Sequence, residues 1–332
     1  MRLPSPRGPL TEYLVAHLPR PPQELRAPPL AGDDPLTGED LPLALAILYE
    51  LHYRSWDAVD DRWEWQPSLL ALRLHLEEAM DESLRIAVRP PAADGDIAAQ
   101  IARLVAADDG PSLSRRLARS GTLEEYREFL IHRSLYHLKE ADPHTWAIPR
   151  LHGRPKAALV EIQSDEYGGG RAEWMHATLF ARAMRALDLD DTYGAYVDAV
   201  PGTTLALVNL MSFFGLHRRR RGALVGHLAV LEMTSSEPMR RYAAGLRRLG
   251  LDDDATLFFD EHVQADALHE QIAAHDLAGG LVAQDASMAG DILAGAAAVL
   301  TLEARFAENL AEAWDAGRSS LRIAATSGAG VA

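Results

Sequence analysis

The stretch FDEHVQADALHE, residues 259–270, sets His262, Asp266 and His269 at positions i, i+4 and i+7. At ~100° per residue on an α-helix, Asp266 lies ~40° to one side of His262 and His269 ~20° to the other. Three metal-capable side chains therefore share one stripe about 60° wide, as expected when they face a common object. Imidazole and carboxylate together suit a first-row metal such as iron, manganese or zinc. The bland alternative is an internal hydrogen-bonded cluster, because buried histidines commonly pair with carboxylates.

The chain around this stripe reads as helical. LPLALAILYELHYRSW (41–56) and PSLLALRLHLEEAMDESLR (67–85) repeat apolar residues at three- and four-residue spacing. PAADGD (91–96) is a connection, and Thr122 with Glu125 makes a capping box at the head of TLEEYREFLIHRSLYHLKE. Further helices are expected to begin near Lys156, Arg171, Pro201, Arg219 and Asp252, and a long one spans residues 286–314. Alternating strand patterns with hairpin turns are missing, as are regular repeats. The expected class is all-α. Residues 41–317 are read as one helical domain, with 41–95 as an N-terminal helical extension and 318–332 as a flexible tail. Nine of the 19 prolines fall within residues 1–40, so that segment is expected to be extended over the surface or mobile. Trp56, Trp63 and Trp65 are expected to pack the extension against the bundle.

Composition narrows the chemistry. The chain has 48 acidic against 33 basic residues, a formal charge of −15, which argues against nucleic acid as a partner. Cysteine is absent, which removes disulfides, thiolate zinc sites, iron–sulfur clusters and c-type haem attachment together. Any metal must be held by histidine and carboxylate. No apolar run approaches the ~18–20 residues a bilayer demands, and the prolines of MRLPSPRGPL do not suit a secretory signal. A cytoplasmic protein without a membrane partner is the expectation. Long apolar helices make a homodimer plausible.

Three residues cannot hold a metal well, so other helices must contribute. EIQSDEYGGGRAEWMHATLF (161–180) offers Glu161, Asp165, Glu166, Glu173 and His176. Glu173 and His176 have the Glu-x-x-His spacing of di-iron carboxylate bundles, but a second copy of that motif is missing, which weakens a ferritin-like reading. Gly168, Gly169 and Gly170 would cost about 2–3 kcal/mol inside a helix. Either a plain turn lies there, or the glycines loosen Glu166 beside a metal. Glu232 sits late in the apolar GHLAVLEMTSS, where a carboxylate needs a metal or a partner from Arg218–Arg221. Glu140 ends another apolar helix. The arginine run itself reads as a salt-bridged helix start, or as one arginine turned inward to grip a substrate carboxylate. His132, His137, His144, His152, His217, His227 and His275 lack a comparable constellation and are expected to be solvated or bonded to backbone.

HLKEADPHTWAIPRL, VEIQSDEYGGG, RRRRGALVGHLAVLEMTSS and EHVQADALHEQ together resemble the iron-containing haem-oxygenase-like di-iron oxidases and oxygenases, over roughly residues 40–317. The resemblance implies a haem-oxygenase-like helical bundle with two non-haem Fe(II) ions and dioxygen as co-substrate. The family draws a carboxylate and a histidine from one core helix, a carboxylate from a second, and a His-x3-Asp-x2-His set from a third. The third matches at His262, Asp266 and His269, the second at Glu232, and the first at His176. Its carboxylate is Glu166 at the spacing of N-oxygenating members, Glu173 at that of fatty-acid-decarboxylating members, or both. An upstream carboxylate of N-oxygenating members corresponds to Glu140. The implied activity is oxidation of a small molecule in secondary metabolism, with electrons from a reductase or other reductant. The implied reaction is hydroxylation of an amine or guanidine nitrogen through a peroxo-di-iron(III) intermediate. The alternatives are C–H oxidation of an amino or fatty acid (desaturation, decarboxylation or cleavage) and a non-catalytic metal-binding role.

Overall fold

The computed structural model describes residues 1–26, 28 and 32–322, except for the side chains of residues 264–267. The described residues are helical, with no strand among them. In chain order the helices are α1 (Pro9–His17), α2 (Asp40–Glu50), α3 (Pro67–Ala87), α4 (Ile97–Ala106), α5 (Leu113–Ser120), α6 (Leu123–His137), α7 (Asp142–Thr145), α8 (Gly153–Glu166) and α9 (His176–Ala186). There follow α10 (Gly202–Gly215), α11 (Arg221–Thr234), α12 (Ser236–Arg248), α13 (Asp253–Gln271), a π-helical segment (Ile272–Gly279), α14 (Gly280–Gln284) and α15 (Met288–Asp315). The starts expected near Pro201, Arg219 and Asp252 fall within two residues of these elements. No helix begins at Arg171; two 3₁₀ turns occupy Gly168–Gly170 and Ala172–Trp174 instead.

Local signals explain several boundaries. The capping box at α6 is formed, with Glu125 N donating to Thr122 Oγ1 at 3.2 Å and Thr122 N to Glu125 Oε2 at 2.8 Å. Pro67 stands in the first turn of α3, where its missing N–H costs nothing. α11 lies along α15, α13 packs between α9 and α12, and the π-helical segment joins α8 to α11. Phe180, Phe213, Phe258, Phe259 and Phe306 are fully buried on α9, α10, α13 and α15, with α9 packed on α13 and α10 on α15. Among the described residues, no helix is long and apolar enough to cross a membrane.

The proline-rich segment is not wholly extended. Pro9 opens α1, and Leu10, Leu14 and Leu18 recur every fourth residue and are buried. Asp40 completes the helix start by accepting from Leu10 N at 2.8 Å and Thr11 N at 2.9 Å. Proline density misleads here because a proline at the first helical position is compatible with a helix. Trp56 and Trp63 are buried as expected, whereas Trp65 is exposed.

The start of the tail is tied down. Glu128 accepts from Trp314 Nε1 (2.8 Å), Ser320 N (2.9 Å) and Ser320 Oγ (2.6 Å). Residues 323–332 of the expected flexible tail lie outside the described residues. His132 binds the same serine through Nε2 (3.0 Å) and Thr204 Oγ1 through Nδ1 (2.8 Å). Burial pushes this histidine from 6.5 down to about 3. Between those values the unfolded chain binds the proton and the folded one does not, so stability falls as pH drops. We expect this residue to contribute a slope of up to about 1.4 kcal/mol per pH unit below about pH 6.5. Melting of wild type and His132→Gln across pH 4–7 checks it; an unchanged slope in the variant would refute the assignment.

Candidate metal centre

The stripe on α13 faces inward. His262 and His269 are buried, and the carbonyl of Phe258, one turn earlier, accepts from His262 Nδ1 at 2.8 Å. That bond fixes the ring and turns Nε2 toward Glu140, whose Oε1 lies 3.6 Å away, the usual way a ligating imidazole is oriented. The Asp266 side chain, predicted as a ligand, lies outside the described residues.

The Gly168–Gly170 turn decides what meets the stripe. All three glycines have positive φ (66°, 59° and 83°), a region that other residues rarely adopt. A Cβ on Gly168 would also lie 2.6 Å from the backbone at Trp174 and Met175. The chain therefore leaves α8 directly after Glu166, doubles back, and enters α9 at His176. His176 Nδ1 comes within 2.9 Å of Glu166 Oε2. The turn reading is the one that holds, and it aims Glu166 at His176. Glu173 stands exposed on the 3₁₀ turn Ala172–Trp174, outside the donor groups described next.

Two donor groups form in the interior. Glu140, Glu166, His176 and His262 bring one ligand atom each to within 4.8 Å of one another, and Glu166, Glu232 and His269 do the same. Glu166 belongs to both. Every member is buried. Glu140 Oε2, Glu166 Oε2, His176 Nδ1 and His269 Nδ1 are buried without a hydrogen-bond partner. These polar atoms crowd together without the alignment of hydrogen bonds, for example His269 Nδ1 at 3.3 Å from Glu232 Oε2. Such atoms are costly unless a cation completes them, so the donor set fits a first-row metal.

Neighbouring groups orient the donors. Asp165, adjacent to Glu166, accepts from His269 Nε2 at 2.9 Å and turns Nδ1 toward Glu232. Burial would lower the His269 pKa, but Glu232, Asp165 and Glu166 outweigh it and hold it up to about 9. A proton is thus retained between carboxylates where a cation would otherwise sit. His137 donates from Nδ1 to Glu140 Oε1 at 2.7 Å. Burial works to raise the Glu140 pKa, yet the facing His137 and His262 hold this carboxyl well below the usual carboxylate range. Burial keeps the His137 ring below its ordinary value, against the opposing pull of Glu140.

Several of these roles were not foreseen. His132, His137, His144 and His227 are neither solvated nor bonded only to backbone. Each pairs with a side chain, and His144 Nε2 meets His227 Nδ1 at 3.1 Å. Burial lowers both, His144 to about 4. The arginine run behaves as the salt-bridged alternative: Arg220 contacts Asp81 at 2.8 Å and Arg221 contacts Asp285 at 3.6 Å. A cavity of about 250 Å³ opens from Glu140, Glu166, Glu232 and His262 toward the α4–α5 loop, and the arginine in its wall is Arg133.

The fold and the buried donors define a class: helical bundles that hold metal in their interior by imidazole and carboxylate. Residues 127–304, more than half of the chain, match the family described as iron-containing redox enzymes, and the chain belongs to that family. It is 27% identical over 145 residues to nitrosourea synthase of Streptomyces achromogenes subsp. streptozoticus, covering 44% of this chain and 31% of that protein. The match thus spans about a third of that relative's length. A crystal structure of a domain of unknown function with a heme oxygenase-like fold from Shewanella denitrificans superimposes with a TM-score of 0.50 at 15% identity. That superposition covers 69% of this chain and 95% of the other, and it establishes the fold: all-α and haem-oxygenase-like.

Proposed function

We propose that this iron-containing redox enzyme holds two non-haem Fe(II) ions and uses dioxygen to hydroxylate an amine or guanidine nitrogen of a small molecule. The observation that carries the reading is the double membership of Glu166: one buried carboxylate belongs to two donor groups, so the same side chain would help to hold either ion. The ligands on this reading are Glu140, Glu166, His176 and His262 for one ion, and Glu166, Glu232 and His269 for the other. Asp266 is kept as a further proposed ligand from its place in the stripe. Exposed Glu173 is not placed among them. The chemistry that two ferrous ions supply when bound is two-electron reduction of dioxygen.

The protein's residues prepare that chemistry. Glu140, Glu166 and Glu232 would offset the charge of the ions. Phe258 O and Asp165 fix the two imidazoles of α13. His137 holds a proton at Nδ1 beside Glu140, and Leu228, Leu231, Phe259 and Leu300 line the cavity with apolar surface. The similarity to nitrosourea synthase supports nitrogen as the target.

The test mixes anaerobically iron-loaded protein with dioxygen, a reductant and a panel of amines, guanidines and fatty acids, with products read by mass. We expect an N-hydroxylated product, one oxygen atom heavier, and its loss in His269→Ala. Desaturated or decarboxylated products would replace nitrogen with carbon as the target. Dioxygen consumption no greater than that of iron-free protein would reduce the role to metal binding.

A further inference from the structure

Among the named residues of the cavity wall, Arg133 on α6 and Glu303 on α15 stand out. Arg133 Nη1 donates to Glu303 Oε1 and Nη2 to Oε2, each at 2.7 Å. The guanidinium lies against two rings, 4.5 Å from the Phe306 centroid and 5.5 Å from that of Phe129. A bidentate pair in an apolar wall is a poor stabiliser, because apolar residues of the same volume commonly do as well. Its place in the cavity points to another use. Among the described residues Glu303 is the only acceptor of the Arg133 guanidinium, which has five N–H groups. The remaining donors are free for a ligand, and both side chains line the cavity.

The charges limit what that ligand is. The pair is neutral overall. A lone carboxylate on Arg133 would meet the Glu303 charge, and a lone ammonium on Glu303 would meet Arg133. A neutral zwitterion satisfies both, with its carboxylate on the guanidinium and its ammonium on the glutamate. The pair and the donor groups line one chamber: Arg133 stands one turn before the end of α6 at His137, and Glu140 lies three residues beyond that end. Partly buried Tyr136, between them in the sequence, lines the same cavity.

We propose that Arg133 and Glu303 form the headgroup site for an α-amino acid whose side chain points toward Glu140 and Glu166. This rests on the cavity being the substrate chamber of the redox site. It does not depend on which atom is oxidised.

The test is calorimetric titration of iron-loaded, dioxygen-free protein with L-norleucine, hexanoate and pentylamine. These share an apolar chain but carry the whole headgroup, the carboxylate alone or the amine alone. L-norleucine should bind about ten- to a hundredfold more tightly than the other two, the worth of one charge-assisted hydrogen bond. Arg133→Gln and Glu303→Gln should each lose a similar factor while keeping the wild-type iron content. Equal binding of the three probes, tighter binding of hexanoate, or no binding of any overturns the headgroup site, and the wild-type comparison decides this even if a variant misfolds. Because L-norleucine has no side-chain nitrogen, its binding without any N-hydroxylation of the amine panel would uphold this site while rejecting the proposed reaction.

Discussion

Glu166→Ala is expected to lose both metals, whereas no other single ligand change should do so. On the proposed reading, wild type loaded anaerobically with ferrous ion binds about two irons per chain, one for each donor group. Glu140→Ala and His262→Ala weaken only the group that contains His176. Glu232→Ala and His269→Ala weaken only the other. Each of those four should retain about one iron. Glu166 is common to both groups, so its truncation removes a carboxylate from each and leaves the remaining imidazoles and carboxylates to hold two dications with too little compensating charge. Iron content should fall to near zero and dioxygen-dependent turnover should vanish. Glu173→Ala, on the exposed turn, should match wild type and serves as the control. Metal analysis of the six variants decides the matter: if Glu166→Ala holds as much iron as Glu140→Ala, the shared carboxylate does not help to hold both ions.

What the sequence disclosed and what it hid divide along physical lines. The α13 stripe was legible because three donors within one helix have a fixed angular relation, and His262 and His269 are buried where that relation puts them. The all-α class was legible for the same reason, being a property of local periodicity. The Glu-x-x-His spacing of Glu173 and His176, and the resemblance to fatty-acid-decarboxylating members, make Glu173 a ligand candidate only if one helix carries both. Glu173 sits on the 3₁₀ turn Ala172–Trp174 and α9 begins only at His176, so the three-residue spacing does not place both on one face. Arg133 and Glu303 lie 170 residues apart, and no local pattern joins them. His137 was set aside although Glu140 stands three residues on, a spacing that brings side chains together at a helix end. His132 shows the converse, since its partners Thr204 and Ser320 come from distant segments.

Gly226→Ala should be among the most destabilising single-methyl changes in the molecule. α11 and α15 approach so closely that a Cβ on Gly226 would fall 1.9 Å from the Ile292 carbonyl oxygen and 3.1 Å from Ala296 N. From the other side, a Cβ on Gly295 would fall 2.0 Å from the Ala223 carbonyl oxygen. Both obstacles are backbone, which cannot rotate away as a side chain can, so the two helices would have to separate. Such overpacking costs about 3 kcal/mol or more. The strain also bears on the metal centre, because Glu232 lies on α11 less than two turns beyond Gly226. A displaced α11 withdraws Glu232 from His269, so loss of stability and loss of the iron beside His269 should appear together. Gly290→Ala is the contrast. It lies in the first turn of α15 with nothing within 4 Å of the added carbon, and should be neutral or stabilising by up to about 1 kcal/mol from helix propensity. Thermal melting and iron content of both variants test the idea together. A Gly226→Ala protein that melts within a degree of wild type with its iron intact would show that the α11–α15 contact can yield without disturbing the site.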